Sequence, residues 1–228
     1  MAQEMLEAIE LETGKNPAAA IIWLHGLGAD GNDFVPIARE LDLAGVQPVR
    51  FVFPHAPLQP VTINNGYVMR AWYDVSYGDL EGRSKRADEK GVRASQSAIA
   101  GLIDREVTRG ISSRNIVLAG FSQGGAVALQ TGLRHPCALA GLVALSTYLP
   151  FMESLPGEAA PANAGTPIFM AHGTQDQVVP HAMGAGSRDF LEGLGYRVEW
   201  REYAMPHSVC MEEVEHIGAW LRRVLKGA

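Results

Sequence analysis

The chain has 228 residues, 47% hydrophobic and 19% charged, which suits a folded globular protein of one domain (1–228) with a substantial core. Its net charge of −6 argues against nucleic acid or an anionic membrane surface as a standing partner. No basic block opposes that, since Lys85-Arg86 and Arg222-Arg223 are short pairs.

The N-terminal stretch carries four carboxylates (Glu4, Glu7, Glu10 and Glu12) and lacks the basic start and apolar centre of a signal peptide. The longest apolar run near it, residues 18–24, has seven residues and cannot span a bilayer. A cytoplasmic location without stable membrane insertion is expected. Residues 20–24 read as a buried strand running into His25-Gly26-Leu27-Gly28. A glycine-rich turn there can aim the Leu27 N–H at a developing oxyanion, with His25 as structural support. Asn32 or Asp33 is placed to cap a helix over 32–42. Residues 54–90 form an irregular stretch with Pro54, Pro57 and Pro60, several glycines and a charged run from 81 to 90. Its Val61, Met69, Trp72 and Tyr73 suit the wall of a ligand site, with Asp74 holding the loop by hydrogen bonds.

Further helical patterns lie near 92–109, 124–134, 181–194 and 209–225, alternating with strand patterns at 116–119, 167–172 and 197–203. Such alternation predicts an α/β fold, with a mostly parallel sheet covered on both faces. Val214, Ile217, Trp220, Leu221 and Val224 form a stripe that should pack the last helix on that sheet. Residues 150–166, rich in Pro, Ala and Gly, read as a second surface loop. Cys137 and Cys210 form neither a metal-spaced motif nor a disulfide framework and read as buried free thiols.

The most informative motif is Gly120-Phe121-Ser122-Gln123-Gly124, a Gly-x-Ser-x-Gly elbow between a strand and a helix. The flanking glycines permit a sharp turn, and the helix N-terminus favours developing negative charge. A serine hydroxyl is a weak nucleophile and needs a base, which in turn needs an orienting group. In a hydrolase sheet these follow in the order Ser, Asp or Glu, His. Asp176 lies four residues beyond the strand 167–172, and His207 follows the strand 197–203, spaced 54 and 31 residues along the chain. Ser122 would attack an acyl carbon, His207 would carry its proton, and Asp176 would hold the imidazole. The N–H of Gln123 joins that of Leu27 at the oxyanion. Of the other histidines, His172 reads as a buried hydrogen-bonded residue. His55, His135 and His181 read as solvated or capping, and His216 as a surface residue.

Leu24-His25-Gly26-Leu27-Gly28, Ala119 to Gly125 and His172-Gly173-Thr174-Gln175-Asp176 resemble the small carboxylesterase and acyl-protein thioesterase family of α/β hydrolases. Asn65-Gly66-Tyr67, Trp72-Tyr73-Asp74 and Ala144 to Tyr148 also match, and residues 61–67 are most similar to the bacterial carboxylesterase branch. The resemblance implies Ser122, Asp176 and His207 as the triad and Leu27 and Gln123 as oxyanion donors. It places the 54–90 loop beside the nucleophile, with Met69, Trp72 and Val178 as candidate substrate contacts. It implies no metal, nucleotide or flavin, and no phosphate loop or dinucleotide fingerprint is present. The partners expected are a small-molecule or lipid ester, acylated proteins as a further class, and a second copy in a homodimer. No large lid domain is visible, so an open site for short or medium acyl chains is expected. A carboxylesterase is the first reading. An acyl-protein thioesterase or lysophospholipase with the same triad is the second, and a non-catalytic binding module a distant third. Two departures stand out: Pro206 precedes His207 where relatives carry glycine, which should stiffen or shift that loop, and Ala29 follows Gly28.

Overall fold

Long uninterrupted apolar runs set the centre of this protein, whose computed structural model describes residues 5–80 and 88–226. The 81–87 part of the charged run, with Lys85 and Arg86, lies outside the described residues. In chain order the strands are β1 (Ala8–Glu12), β2 (Ala19–Leu24), β3 (Val49–Pro54), β4 (Leu58–Val61), β5 (Tyr67–Arg70), β6 (Ile116–Phe121), β7 (Gly141–Leu145), β8 (Ile168–Gly173) and β9 (Val198–Tyr203). The helices are α1 (Val35–Glu40), α2 (Tyr77–Leu80), α3 (Glu89–Thr108), α4 (Gln123–Arg134), α5 (Leu155–Glu158), α6 (His181–Gly193) and α7 (Met211–Val224).

Seven strands form one sheet in the order β1-β3-β2-β6-β7-β8-β9, and β4 and β5 form a separate hairpin. Every pairing in the large sheet is parallel except β1 with β3. β2, β3, β7 and β8 are buried at every position, as strands covered on both faces must be. Alternate side chains divide between two cores. Ala20, Ile22, Leu24 and Leu118 pack under α3 and α4, against Ile99, Leu102, Val127 and Leu129. Ile21, Trp23, Val117 and Ala119 face α1 and α7, against Ala38, Val214, Ile217, Trp220 and Leu221. The expected stripe of the last helix packs on the sheet, with Val224 at its edge.

Several local expectations are corrected. α1 begins at Val35 after Phe34, with proline in its first turn, and neither Asn32 nor Asp33 caps it. Asp30 instead accepts from the Asn32 backbone and side chain (2.8 and 3.0 Å), closing an Asx turn before the helix. α3 starts earlier than its apolar pattern, because Asp88 accepts from Gly91 N–H (2.9 Å) as its cap. Cys137 is exposed and Cys210 half-buried, so neither is a core thiol. His135 is buried rather than solvated, its ring bonded to the Cys137 carbonyl (3.0 Å). His216 is half-buried and hydrogen-bonded to the Tyr203 hydroxyl (2.9 Å). Segment 54–90 contains the β4–β5 hairpin, and 150–166 contains α5 between short 3₁₀ turns.

Parallel strands deliver their carboxyl ends to one edge. The loops after β2, β6, β8 and β9 therefore carry Leu27, Ser122, Asp176 and His207 to the same side of the sheet.

Candidate active site

Ser122 bridges β6 and α4 with φ 53° and ψ −122°, a backbone conformation that side chains rarely adopt. Such a residue costs on the order of 1–3 kcal/mol and persists only where its surroundings over-determine it. They do so here. The Ser122 N–H donates to Leu145 O (2.8 Å), and its carbonyl accepts from Ala126 N–H (3.1 Å) and Thr147 Oγ1 (2.6 Å). The two motif glycines act by close packing and not by positive φ, which the serine itself takes. A Cβ on Gly120 would land on the Gly124 carbonyl, and one on Gly124 on the Leu24 and His25 carbonyls. All of α4 is buried, so the elbow has little room to relax.

Asp176 sits in the loop after β8 and is surrounded by donors. Oδ1 accepts from the Val178 and Val179 N–H groups, both at 2.9 Å. Oδ2 accepts from His207 Nδ1 at 2.7 Å and lies 3.4 Å from His172 Nε2. Burial pushes this carboxyl up, but the hydrogen bonds from His172 and His207 outweigh it and hold the group well below the usual carboxylate range. His207 is about 15% exposed, and its ring lies 4.6 Å from that of Phe121, the residue before Ser122. With Pro206 before it, His207 makes its bond to Asp176. The loop crosses the end of β8 at Gly173, where a Cβ would meet the Met205 and Pro206 carbonyls. Gln175 N–H donates to Met205 O (3.1 Å), tying the aspartate loop to the histidine loop.

Leu27 and Gln123 line the same cavity as Ser122, and neither backbone N–H donates to another group among the described residues. Gly28, at φ 77°, donates instead to Arg70 O (2.9 Å), and Ala29 N–H closes the turn onto Gly26 O (3.3 Å). His25 is a structural support: fully buried, it bonds Gly26 O through Nδ1 (2.7 Å) and accepts from Ala56 N–H at Nε2 (3.0 Å). Burial pushes its pKa down. The Gln123 side chain has a role that its motif position does not reveal. It accepts from Trp72 N–H (2.8 Å) and donates to Tyr73 O (2.7 Å), fastening the 70s segment to the elbow.

Two depressions meet at Val178. An open cleft of about 480 Å³ is lined by Gln175, Gln177, Val178, Pro206 and His207. A narrower cavity of about 180 Å³ contains Ser122 and Gln123, walled by Leu27, Ile63, Val75, Tyr148 and Val179 among others. Val178 lines both depressions. Trp72 does not line the cavity: the ring is buried, lies tilted against His25 (5.2 Å) and donates to His25 O (2.9 Å), so it supports the wall. Met69 packs with Leu27 and Ile63 on the small core of Val61, Ala71 and Val75 and is not among the residues that line the cavity. Tyr73 reaches the cavity, paired with Tyr148 (hydroxyls 3.0 Å apart), and burial pushes both phenols up. Tyr148 and Ile63 lie in blocks that carry the family resemblance but have no site role there, Val75 and Val179 lie outside those blocks, and the tertiary fold brings the four together. Asp74 holds the wall as expected, accepting from Thr62 N–H (2.7 Å) and Thr62 Oγ1 (2.6 Å). Among the described residues no helical lid covers the cleft, no cluster of His, Cys, Asp and Glu could hold a metal, and no helix is long and apolar enough to cross a membrane.

Comparison with known proteins places this geometry. A family model described as phospholipase/carboxylesterase matches residues 6–225. Acyl-protein thioesterase 1 of Neurospora crassa is 40% identical over 211 residues, covering 89% of this chain and 85% of that protein. Carboxylesterase SOBER1 of Arabidopsis thaliana is 35% identical, covering 91% of each. The crystal structure of SOBER1 superposes with a TM-score of 0.83 over 91% of this chain and 99% of its own, at 33% identity. The structure of Zea mays acyl-protein thioesterase 2 does so at 0.83 over 96% and 99%, at 29% identity. These relatives are fungal and plant proteins, so the bacterial likeness of residues 61–67 is not carried forward.

Proposed function

This chain belongs to the phospholipase/carboxylesterase family of α/β hydrolases, and from that premise we propose that it hydrolyses short- to medium-chain carboxylic esters through an acyl-enzyme on Ser122. The observation that carries the reading is the 2.7 Å bond between Asp176 Oδ2 and His207 Nδ1, at the same sheet edge as a serine held in a strained elbow. Ser122 Oγ attacks the acyl carbon as His207 Nε2 takes its proton. Asp176 fixes the Nε2-basic tautomer and stabilises the imidazolium. The negative oxygen of the tetrahedral intermediate meets the N–H groups of Leu27 and Gln123. His207 then protonates the leaving group, and water repeats the sequence to release the acid. The serine–imidazole hydrogen bond is not made among the described residues. Such contacts tighten as substrate seats.

The narrow cavity beside Ser122 suits a short or medium acyl chain, and the wider open cleft over His207 suits the departing group. That open side also favours the second reading, an acyl-protein thioesterase, whose leaving thiol belongs to a bulky carrier. Relatives bearing esterase and thioesterase names leave the non-catalytic binding module without support. A cytoplasmic location, a homodimeric assembly and the absence of nucleic acid or stable membrane insertion complete the proposal.

The test is a series of p-nitrophenyl esters from acetate to palmitate, run on wild type and Ser122→Ala in parallel. Serine-dependent turnover peaking at short or medium chains is expected. A peak at palmitate, or turnover confined to S-acylated peptides, moves the assignment to a thioesterase or lysophospholipase. Activity retained in Ser122→Ala removes the nucleophile assignment.

A further inference from the structure

His172 occupies the penultimate position of β8 and is fully buried. Its Nε2 lies 3.0 Å from the Val179 carbonyl and 3.4 Å from Asp176 Oδ2. A carbonyl only accepts, so Nε2 carries the hydrogen, donates it to Val179 O and brings it beside Asp176 Oδ2. Nδ1 has no partner among the described residues. The ring is wedged in place: a methyl on Gly184 of α6 would land on Nδ1, the His181 ring meets it edge-on at 5.6 Å, and Trp200 of β9 lies at 6.2 Å.

Asp176 therefore accepts three hydrogen bonds and has the His172 Nε2 close beside it as a fourth nitrogen. Two backbone N–H groups fix Oδ1, and two imidazoles meet at Oδ2. We propose that His172 is the positioning residue of this site: its Nε2–H sets the orientation in which Asp176 presents Oδ2 to His207, and draws off part of the carboxylate charge. Because the same N–H holds the Val179 carbonyl, it also ties the carboxylate to the strip of chain, Val178 and Val179, that walls the cavity. The inference rests on the Ser122–Asp176–His207 reading given above. The lowered carboxyl of Asp176, to which His172 contributes, agrees with this closeness. The other titratable neighbours are His181 on α6 and, through its 2.8 Å contact with that ring, Glu202 on β9; Arg188 of α6 stacks over Trp200 at 5.0 Å.

The sign of the effect follows. With the His172 donor removed, more of the Asp176 charge acts on His207 and holds the imidazolium more strongly. His172→Phe, which keeps a ring without the N–H, should move the acid limb of the kcat/KM profile for p-nitrophenyl butyrate to higher pH by about 0.5–1 unit. It should also lower kcat by about tenfold with KM within about twofold, as the carboxylate loses its single orientation. His172→Gln, which returns an amide donor near the Nε2 position, should restore both toward wild type. A purely structural role would lower Tm and leave the profile in place, so a His172→Phe profile superimposed on wild type overturns the proposal.

Should His172→Phe fail to fold, nitrogen-15 histidine NMR on the wild type decides. The His172 Nε2–H signal should shift as His207 titrates, because both lie against one oxygen, and a flat signal overturns the proposal. Ser122→Ala assayed alongside separates the two ideas. Retained activity there condemns the serine reading, while the NMR reports on the His172–Asp176 contact by itself.

Discussion

The nucleophile and the acyl wall face each other across one cavity and are held by opposite means. Around Ser122 the backbone is fixed by packing, with glycines against carbonyls, a wholly buried α4, and hydrogen bonds to Leu145 and from Ala126 and Thr147. The wall, from β4 to α2, carries exposed apolar groups, with Leu58 at 65% and Tyr67 at 70% exposure, and only a small core of Val61, Ala71 and Val75. A few side chains hold it: Asp74 on Thr62, the Tyr73–Tyr148 pair, and the Gln123 amide. A strained nucleophile needs a site that cannot relax, whereas a wall that admits substrate tolerates looser fastening. Perturbing the first region should therefore cost stability, and perturbing the second should cost substrate binding.

The largest expected effect lies outside both regions and calibrates them. Glu213 on α7 is fully buried, and burial pushes its carboxyl up to about 8. The folded state then holds a proton that the unfolded state loses above its ordinary carboxyl range. Stability should fall as pH rises from about 4.5 to about 8, by on the order of 4 kcal/mol. Glu213→Gln should flatten that slope in denaturant unfolding measured at pH 5 and pH 8. An unchanged slope would show the charge to be compensated in some other way.

Next in size is Gly124→Ala, whose methyl meets the Leu24 and His25 carbonyls. Overpacking of this kind should cost about 3 kcal/mol, seen as a Tm drop of about 6–12 °C. A Tm within two degrees of wild type would mean the elbow is not close-packed. Gln123→Ala bridges the two regions. It leaves two buried backbone groups of Trp72 and Tyr73 unpaired and should cost about 2 kcal/mol while raising KM several-fold. A loss of stability with KM unchanged would detach the wall from substrate binding. Smallest is Asp74→Ala, where about 1 kcal/mol or less should be lost and KM for longer esters should rise with kcat nearly constant. A fall in kcat alone would contradict that division.

The same contrast explains what could be read from the chain. The alternation of strands and helices, the elbow, and the order of Ser122, Asp176 and His207 are local patterns, and the fold carries them to one sheet edge. His25 as a support was likewise legible, because its turn has its own glycine signature. The cavity wall was not. Trp72 reads as a substrate contact because it lies in the irregular 54–90 segment that the resemblance places beside the nucleophile. Its orientation is set by the His25 carbonyl, 47 residues away in sequence. Tyr148, Ile63 and Val75 meet only through tertiary packing. Glu213 sits in the first turn of a helix, where an acid is ordinarily solvated, and its burial comes from what packs around it. The missing cap of α1 and the exposed Cys137 are equally matters of what packs beside a residue, which a linear pattern does not carry.

The central claim is that Ser122 is the residue acylated by substrate. Incubation with a p-nitrophenyl phosphonate, followed by tryptic peptide mass mapping, tests it most directly. One adduct per chain is expected, located on Ser122 and abolished in His207→Ala. An adduct on another residue, or undiminished labelling without His207, would contradict it.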